Sequence, residues 1–210
     1  DEMRPFLMLG EKLGRLLAQL KDGKLKAVTV SVEGDSLCES LPALSAAVLK
    51  GVFEGVLAEP VNYLNAAMIA RERGIGVHLL QEAGQVSSAQ VLTAQLLSVR
   101  YQTDTETRWF SGTVFGDKDI RIVGIDGFHF EIKPEGHLIL YSNIDRPGML
   151  SSVSTVLAKA RINIGGLSLG RFESGGKALT VIAIDSAAPD DVLEEIARLN
   201  GISGVKMVNL

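Results

Sequence analysis

Residues 137–171 read HLILYSNIDRPGMLSSVSTVLAKARINIGGLSLGR, and two changes of hydrophobic pattern inside them decide the fold. His137 to Ile144 reads as a strand, its apolar run giving way to polar Asn143 and then Asp145. From Pro147 to Ala160 the pattern turns helical, with Leu150, Val153, Leu157 and Ala160 on one stripe. Ile162 to Leu169 reads as a strand again.

Past this core, Glu173-Ser174-Gly175-Gly176 reads as a turn and Ala178 to Ile184 as a strand. Pro189 to Leu199 reads as a helix, with Asp190 and Asp191 in its first turn, where the helix dipole favours them. Ile202 to Val208 is a last strand. The order βαββαβ is the split βαβ of the ferredoxin-like fold, a four-stranded antiparallel sheet with two helices on one face.

Ahead of it, Pro134-Glu135-Gly136 marks a boundary, so two domains are expected, 1–134 and 135–210. Phe6, Leu9, Leu13, Leu16, Leu17 and Leu20 form one stripe of a helix over 4–21, ended by Asp22-Gly23. Gly10 and Gly14 sit one turn apart and let another element approach closely. Val28, Val30 and Val32 alternate along a strand over Leu25 to Val32. A helix from Pro42 to about Leu57 follows, then one from Asn62 or Tyr63 to Arg73, ending at Gly74. Strands are expected at Val77–Leu80, Val91–Tyr101 and Trp109–Phe115. Ile120–Ile125 and His129–Ile132 flank Asp126-Gly127, a hairpin signal. Helices first and strands later make this part, like the chain as a whole, α+β.

Composition narrows the function. A chain of 210 residues, 46% hydrophobic and 22% charged, suits a soluble globular protein. A net charge of −4 without basic clusters argues against nucleic acid, whose affinity comes from neutralised phosphates. Cys38 is the only cysteine, so neither an intrachain disulfide nor a Cys-based metal site can form. That suits a reducing, cytoplasmic setting. Lys50 and Glu54 break the run from Leu44 to Ala58, and nothing approaches the roughly 20 apolar residues of a membrane helix. Asp1-Glu2-Met3-Arg4 has no apolar segment of the signal-peptide type behind it. A start other than Met is expected of a processed chain or a piece of a longer one.

The strand exit carries the chemistry. A helix beginning at Pro147 presents the N–H groups of Gly148, Met149 and Leu150 outward, and such an end favours a carboxylate. Asp145 can accept hydrogen bonds from an ammonium group, and Asn143 offers both a donor and an acceptor. Gly148 lets a ligand reach the backbone. A carboxylate socket beside an ammonium acceptor describes an α-amino acid. Asn163, flanked by Ile162 and Ile164, adds an amide, and Gly165-Gly166 permits close approach of another backbone, a second subunit's among them. The same residues also have an ordinary reading, Asp145 as a helix cap and Asn163 as a turn residue.

Asp145-Arg146-Pro147-Gly148-Met149-Leu150, followed by Asn163-Ile164, resembles the signature of the ACT domain, a small regulatory domain that often binds amino acids. Upstream, Glu11-Lys12-Leu13-Gly14, Val61-Asn62-Tyr63-Leu64-Asn65-Ala66, Glu72-Arg73-Gly74-Ile75, Ser111-Gly112-Thr113 and His129-Phe130 are similar to the intervening domain of D-3-phosphoglycerate dehydrogenases. The resemblance covers nearly the whole chain and marks it as the C-terminal regulatory part of that family. It implies a parent that oxidises 3-phosphoglycerate with NAD, the first committed step of serine synthesis. It implies L-serine between ACT domains of two identical subunits, in a homodimer or homotetramer. The positions carried over are Asn143, Asp145, Arg146, Pro147, Gly148, Met149 and Leu150 on one chain, with Asn163 and Ile164 facing across. Asn143 stands where members often carry His or Tyr, and Ala67 where they often carry Pro. An oligomerisation module with a vestigial or different amino-acid pocket is the alternative.

The chain carries no G-x-G-x-x-G between a strand and a helix and no G-x-S-x-G elbow. Neither catalysis, a bound cofactor nor a metal site is therefore expected of it alone. A subunit of an iron–sulfur serine dehydratase has a similar size, but one cysteine cannot hold such a cluster. His78 and His137 read as packing or edge residues of apolar strands. Arg121 and Lys133 flank the Asp126-Gly127 turn and with His129 could form a phosphate-sized anion site. A solvated charged strand edge is the other reading of those three.

Overall fold

The computed structural model describes residues 3–82 and 95–210. They form two compact units, Asp1–Asp126 and Gly127–Leu210. The first opens with α1 (Arg4–Leu20), β1 (Leu25–Glu33), the short α2 (Asp35–Cys38), α3 (Leu41–Phe53) and α4 (Ala66–Glu72). β2 (Gly76–Glu82), β3 (Leu96–Thr103), β4 (Thr107–Phe115) and β5 (Asp119–Ile125) follow. The strands lie in the order β2-β1-β3-β4-β5, with β1 and β2 parallel and the other pairs antiparallel. The expected strand over 91–101 is β3, and residues 91–94 lie outside the described residues.

The leucine stripe of α1 is buried throughout. Its glycines seat it on α3: a Cβ on Gly14 would overlap the Val48 carbonyl oxygen, and one on Gly51 the Glu11 carbonyl oxygen. α3 ends at Phe53 rather than near Leu57, because Glu54 turns extended and Gly55 takes φ 81°. α4 begins at Ala66 rather than at Asn62. The Asn62 Oδ1 accepts from the N–H groups of Leu64 and Asn65, at 2.9 and 3.0 Å, which holds a turn in place of helix.

Asp126 (φ 51°) and Gly127 (φ 84°) both take the left-handed backbone that a type I′ turn needs. The chain passes from one unit to the other within this turn; the sequence reading places its boundary at Pro134-Glu135-Gly136. β6 (Phe128–Ile132) runs against the ACT-like part of the second unit. That part comprises β7 (His137–Ile144), α5 (Met149–Lys159), β8 (Ile164–Arg171), β9 (Lys177–Ile184), α6 (Asp190–Ala197) and β10 (Ile202–Asn209). Its sheet order is β10-β7-β9-β8, all antiparallel. Ile139, Tyr141 and Ile182 of the sheet meet Met149, Val153, Leu157 and Ile196 of the helices in one core. Glu131 N–H donates to the Ser168 hydroxyl at 3.1 Å, tying β6 to β8.

Two sequence expectations change here. Pro147 lies in a turn, and α5 starts two residues later, because Gly148 at φ 89° caps it in the left-handed region. That start sets the helix phase. Met149, Val153, Val156 and Leu157 are buried, while Leu150 and Ala160 point outward.

Candidate functional site

The expected pocket residues gather at one end of the second sheet. The pairing register sets Ile202, Asn143, Ala178 and Arg171 side by side across β10, β7, β9 and β8. Two residues inward on β7 and β9 stand Tyr141 and Thr180. Since side chains alternate along a strand, the row shares the helix-covered face with Tyr141. Ala178 is fully buried and small, so it leaves a low floor between Asn143 and Arg171.

Asp145 is the hub. Its Oδ2 accepts from Nη1 of Arg171 at 2.5 Å and from the Gly175 N–H at 3.4 Å. Its own N–H donates to the Gly176 carbonyl at 2.8 Å. The Arg171 guanidinium, helped by the Gly175 N–H, holds the Asp145 carboxyl below the usual carboxylate range. Oδ1 of Asp145 and Nε and Nη2 of Arg171 take no further partner among the described residues.

Asn143 is only 5% exposed. The Thr180 hydroxyl donates to its Oδ1 at 2.9 Å, and its Nδ2 donates to the Ile144 carbonyl at 3.1 Å. One N–H and one lone pair of the amide remain.

α5 opens without a side-chain cap. The Met149 N–H reaches the Arg146 carbonyl weakly, at 3.4 Å. The N–H groups of Gly148 and Leu150 have no partner among the described residues. This end carries the positive pole of the helix and suits a carboxylate. Arg146 lies folded back, Nη2 donating to the Asn200 carbonyl at 2.6 Å and Nε meeting the Met149 sulfur at 3.2 Å.

Asn163 is not part of this cluster. Its Nδ2 donates to Asp185 at 2.7 Å, at the far end of β8 from Arg171. That strand spans roughly 23 Å at about 3.3 Å per residue, so Asn163 and Asp145 of one chain cannot share a small ligand. An open groove of about 420 Å³ takes in Asn143, Gly175 and Gly176 of this cluster and runs on past Ser142, Ile144 and Lys177 toward Gly201 and Ser203. Ser142 and Ile144 point away from the face of Asn143.

Comparison with known proteins decides the family. Residues 2–126 match the model of the D-3-phosphoglycerate dehydrogenase intervening domain, and residues 137–201 that of the ACT domain. The chain belongs to the D-3-phosphoglycerate dehydrogenase family. The D-3-phosphoglycerate dehydrogenase of Archaeoglobus fulgidus is 32% identical over 210 residues, covering 99% of this chain and 39% of the relative. That of Methanocaldococcus jannaschii is 28% identical over 209 residues, covering 100% and 38%. That of Synechocystis is 30% identical over 212 residues, covering 100% and 37%. The chain thus spans about two fifths of the length of the curated relatives it matches.

As a regulatory region of phosphoglycerate dehydrogenase, the chain holds Asn143, Asp145, Arg146, Pro147, Gly148, Met149 and Leu150 at one sheet end, with Asn163 and Ile164 at the other. Arg171, Thr180 and Gly175 belong to the cluster and go unnoticed in the sequence. Their one signal is an arginine at a strand end that faces Ala178. The residues read as an anion site fall in different units. Arg121 lies on β5 with Nη1 2.8 Å from the Asp119 carboxylate. His129 and Lys133 are exposed on and just past β6. Among the described residues no group of three or more His, Cys, Asp or Glu could hold a metal ion. No described helix is long and apolar enough to cross a membrane.

Proposed function

We propose that the ACT domain binds L-serine between two copies of the chain and so places the dehydrogenase activity of a longer protein under feedback control. One observation carries the reading: the Asp145 carboxylate stands just ahead of an uncapped helix end whose Gly148 and Leu150 amides are unused. An ammonium acceptor and a carboxylate socket at that spacing complement an α-amino acid.

The position of Asn163 supports a site shared by two chains. β8 is last in its sheet, and Leu167 and Leu169 on it are 41% and 39% exposed. An outer strand with exposed leucines invites pairing. Pairing two β8 strands about a two-fold axis sets Asn163 of the partner subunit near the Asp145 turn, and the reverse. The assembly is then a homodimer, or a homotetramer built from it. The longer protein oxidises D-3-phosphoglycerate in the cytoplasm, with NAD held outside these residues.

The test is calorimetric titration with L-serine, with glycine and D-serine as controls, on the chain and on Asp145→Ala. Selective, saturable heat that disappears in the folded variant supports the reading. An Asp145→Ala chain that binds normally removes this pocket. The filled Asp145 seat favours a second reading, an assembly module whose pocket takes no ligand; it expects a dimer or tetramer by light scattering that ignores serine.

A further inference from the structure

The seat read for the ligand's ammonium already holds a cation, the Arg171 guanidinium at 2.5 Å. The contact is one-armed, and the Arg171 side chain is 51% exposed. Arg171 ends β8, and its neighbours lead away from the pocket. Gly170 lies so close to β6 that a Cβ there would stand 2.8 Å from the His129 carbonyl oxygen. Phe172 is 67% exposed, yet its ring meets that of Phe128 in a tilted contact, with centroids 4.4 Å apart and planes at 37°. Phe128 follows directly on Asp126-Gly127, where the chain passes between its two units. Asp126 is in turn tied to β4. Its Oδ1 accepts from the Trp109 N–H at 3.1 Å, its Oδ2 from Arg108 Nε at 2.8 Å, and its N–H donates to the Trp109 carbonyl at 2.9 Å. Trp109 is the only tryptophan of the chain.

Building on the amino-acid reading above, we propose that Arg171 is an internal stand-in for the ligand. The ammonium of L-serine displaces it from Asp145, and the freed end of β8 relays the exchange through Phe172 and Phe128 to the Asp126-Gly127 turn. Arg171 holds Oδ2 only, and a second cation brought to Oδ1 is repelled by it, so the two compete and the device has two discrete states, as coupling between sites requires. An exposed pair is weak, so the competition lowers affinity only about two- to fivefold.

The experiment titrates the 210-residue chain, Arg171→Gln and Phe172→Ala with L-serine, read by calorimetry and by Trp109 emission, with circular dichroism to verify folding. The unaltered chain binds and its emission shifts with occupancy. Arg171→Gln binds about two- to fivefold tighter, and its emission no longer responds because Asp145 is already released. Phe172→Ala binds like the unaltered chain without the emission change. Weaker binding by Arg171→Gln would make Arg171 a ligand contact and overturn the proposal while leaving the amino-acid reading intact. A full emission change in Phe172→Ala, or heat from the unaltered chain with no emission change, would overturn the relay. Absence of heat from both the unaltered chain and Arg171→Gln defeats the amino-acid reading, and the proposal with it.

Discussion

In the first unit Lys50 lies 2.7 Å from Glu11 and 3.6 Å from Glu54, Arg15 closes on Glu54 at 2.6 Å, and the Tyr63 hydroxyl donates to Glu11. In the second unit Arg171 reaches Asp145 alone. The first set is a network straddling the glycine crossing of α1 and α3. Each glutamate has two partners, and the Lys50 ammonium also lies 5.4 Å from the Tyr63 ring centre. Losing one member strands the others, so the network braces the helix pair. The second set is one exposed contact beside a glycine turn, and a charge arriving from outside can replace either half. The same residue types thus brace one unit and leave the other open to exchange.

Five substitutions or titrations break or sharpen that contrast. Gly14→Ala strikes backbone, the Val48 carbonyl, which cannot move without parting the helices. It lowers unfolding free energy by about 3 kcal/mol in a urea titration. Lys50→Met leaves both glutamates short of a partner and costs about 1–2 kcal/mol by the same measurement. A chain indifferent to it would show that the network braces nothing.

At high pH tyrosines of both units respond. The hydrogen bond to Glu11 pushes Tyr63 up to about 12, and burial raises Tyr101 and Tyr141. A folded-state value above the ordinary 10.0 makes this stabilisation complete below pH 10; for Tyr63 it is lost as pH rises through about 12. Tyrosinate absorbance of the native chain therefore stays low at pH 10 and appears on adding denaturant. On the acid side the Arg15 hydrogen bond lowers Glu54, so its contribution is present above pH 4.5 and fades as pH falls below it. Arg171→Gln has the smallest expected effect. The unfolding midpoint stays where it was, while the Asp145 carboxyl, followed by NMR, moves up toward the usual carboxylate range.

Element order is legible because periodicity is local. The strands at 137–144 and 178–184 and the leucine stripe of α1 are found where alternation and helical spacing put them. The face of α5 is not legible from spacing alone, since Leu150 and Val153 fit a stripe as well as Met149 and Val153 do. The left-handed Gly148 decides between them. The start of α4 depends on whether Asn62 spends its side chain on its own backbone, which composition does not reveal.

By itself the sequence determined the order of the strands and of the helices other than the short α2, the hairpin turn at Asp126-Gly127, and a carboxylate and an amide at the exit of β7. Each depends on neighbours within a few residues. Only the tertiary structure decided that Asp145 meets Arg171, which stands 26 residues away in sequence, and that Asn163 lies a strand's length from both. Those distances follow from the register of β8 and β7 on β9, and a slip of one residue would turn Arg171 to the opposite face of the sheet.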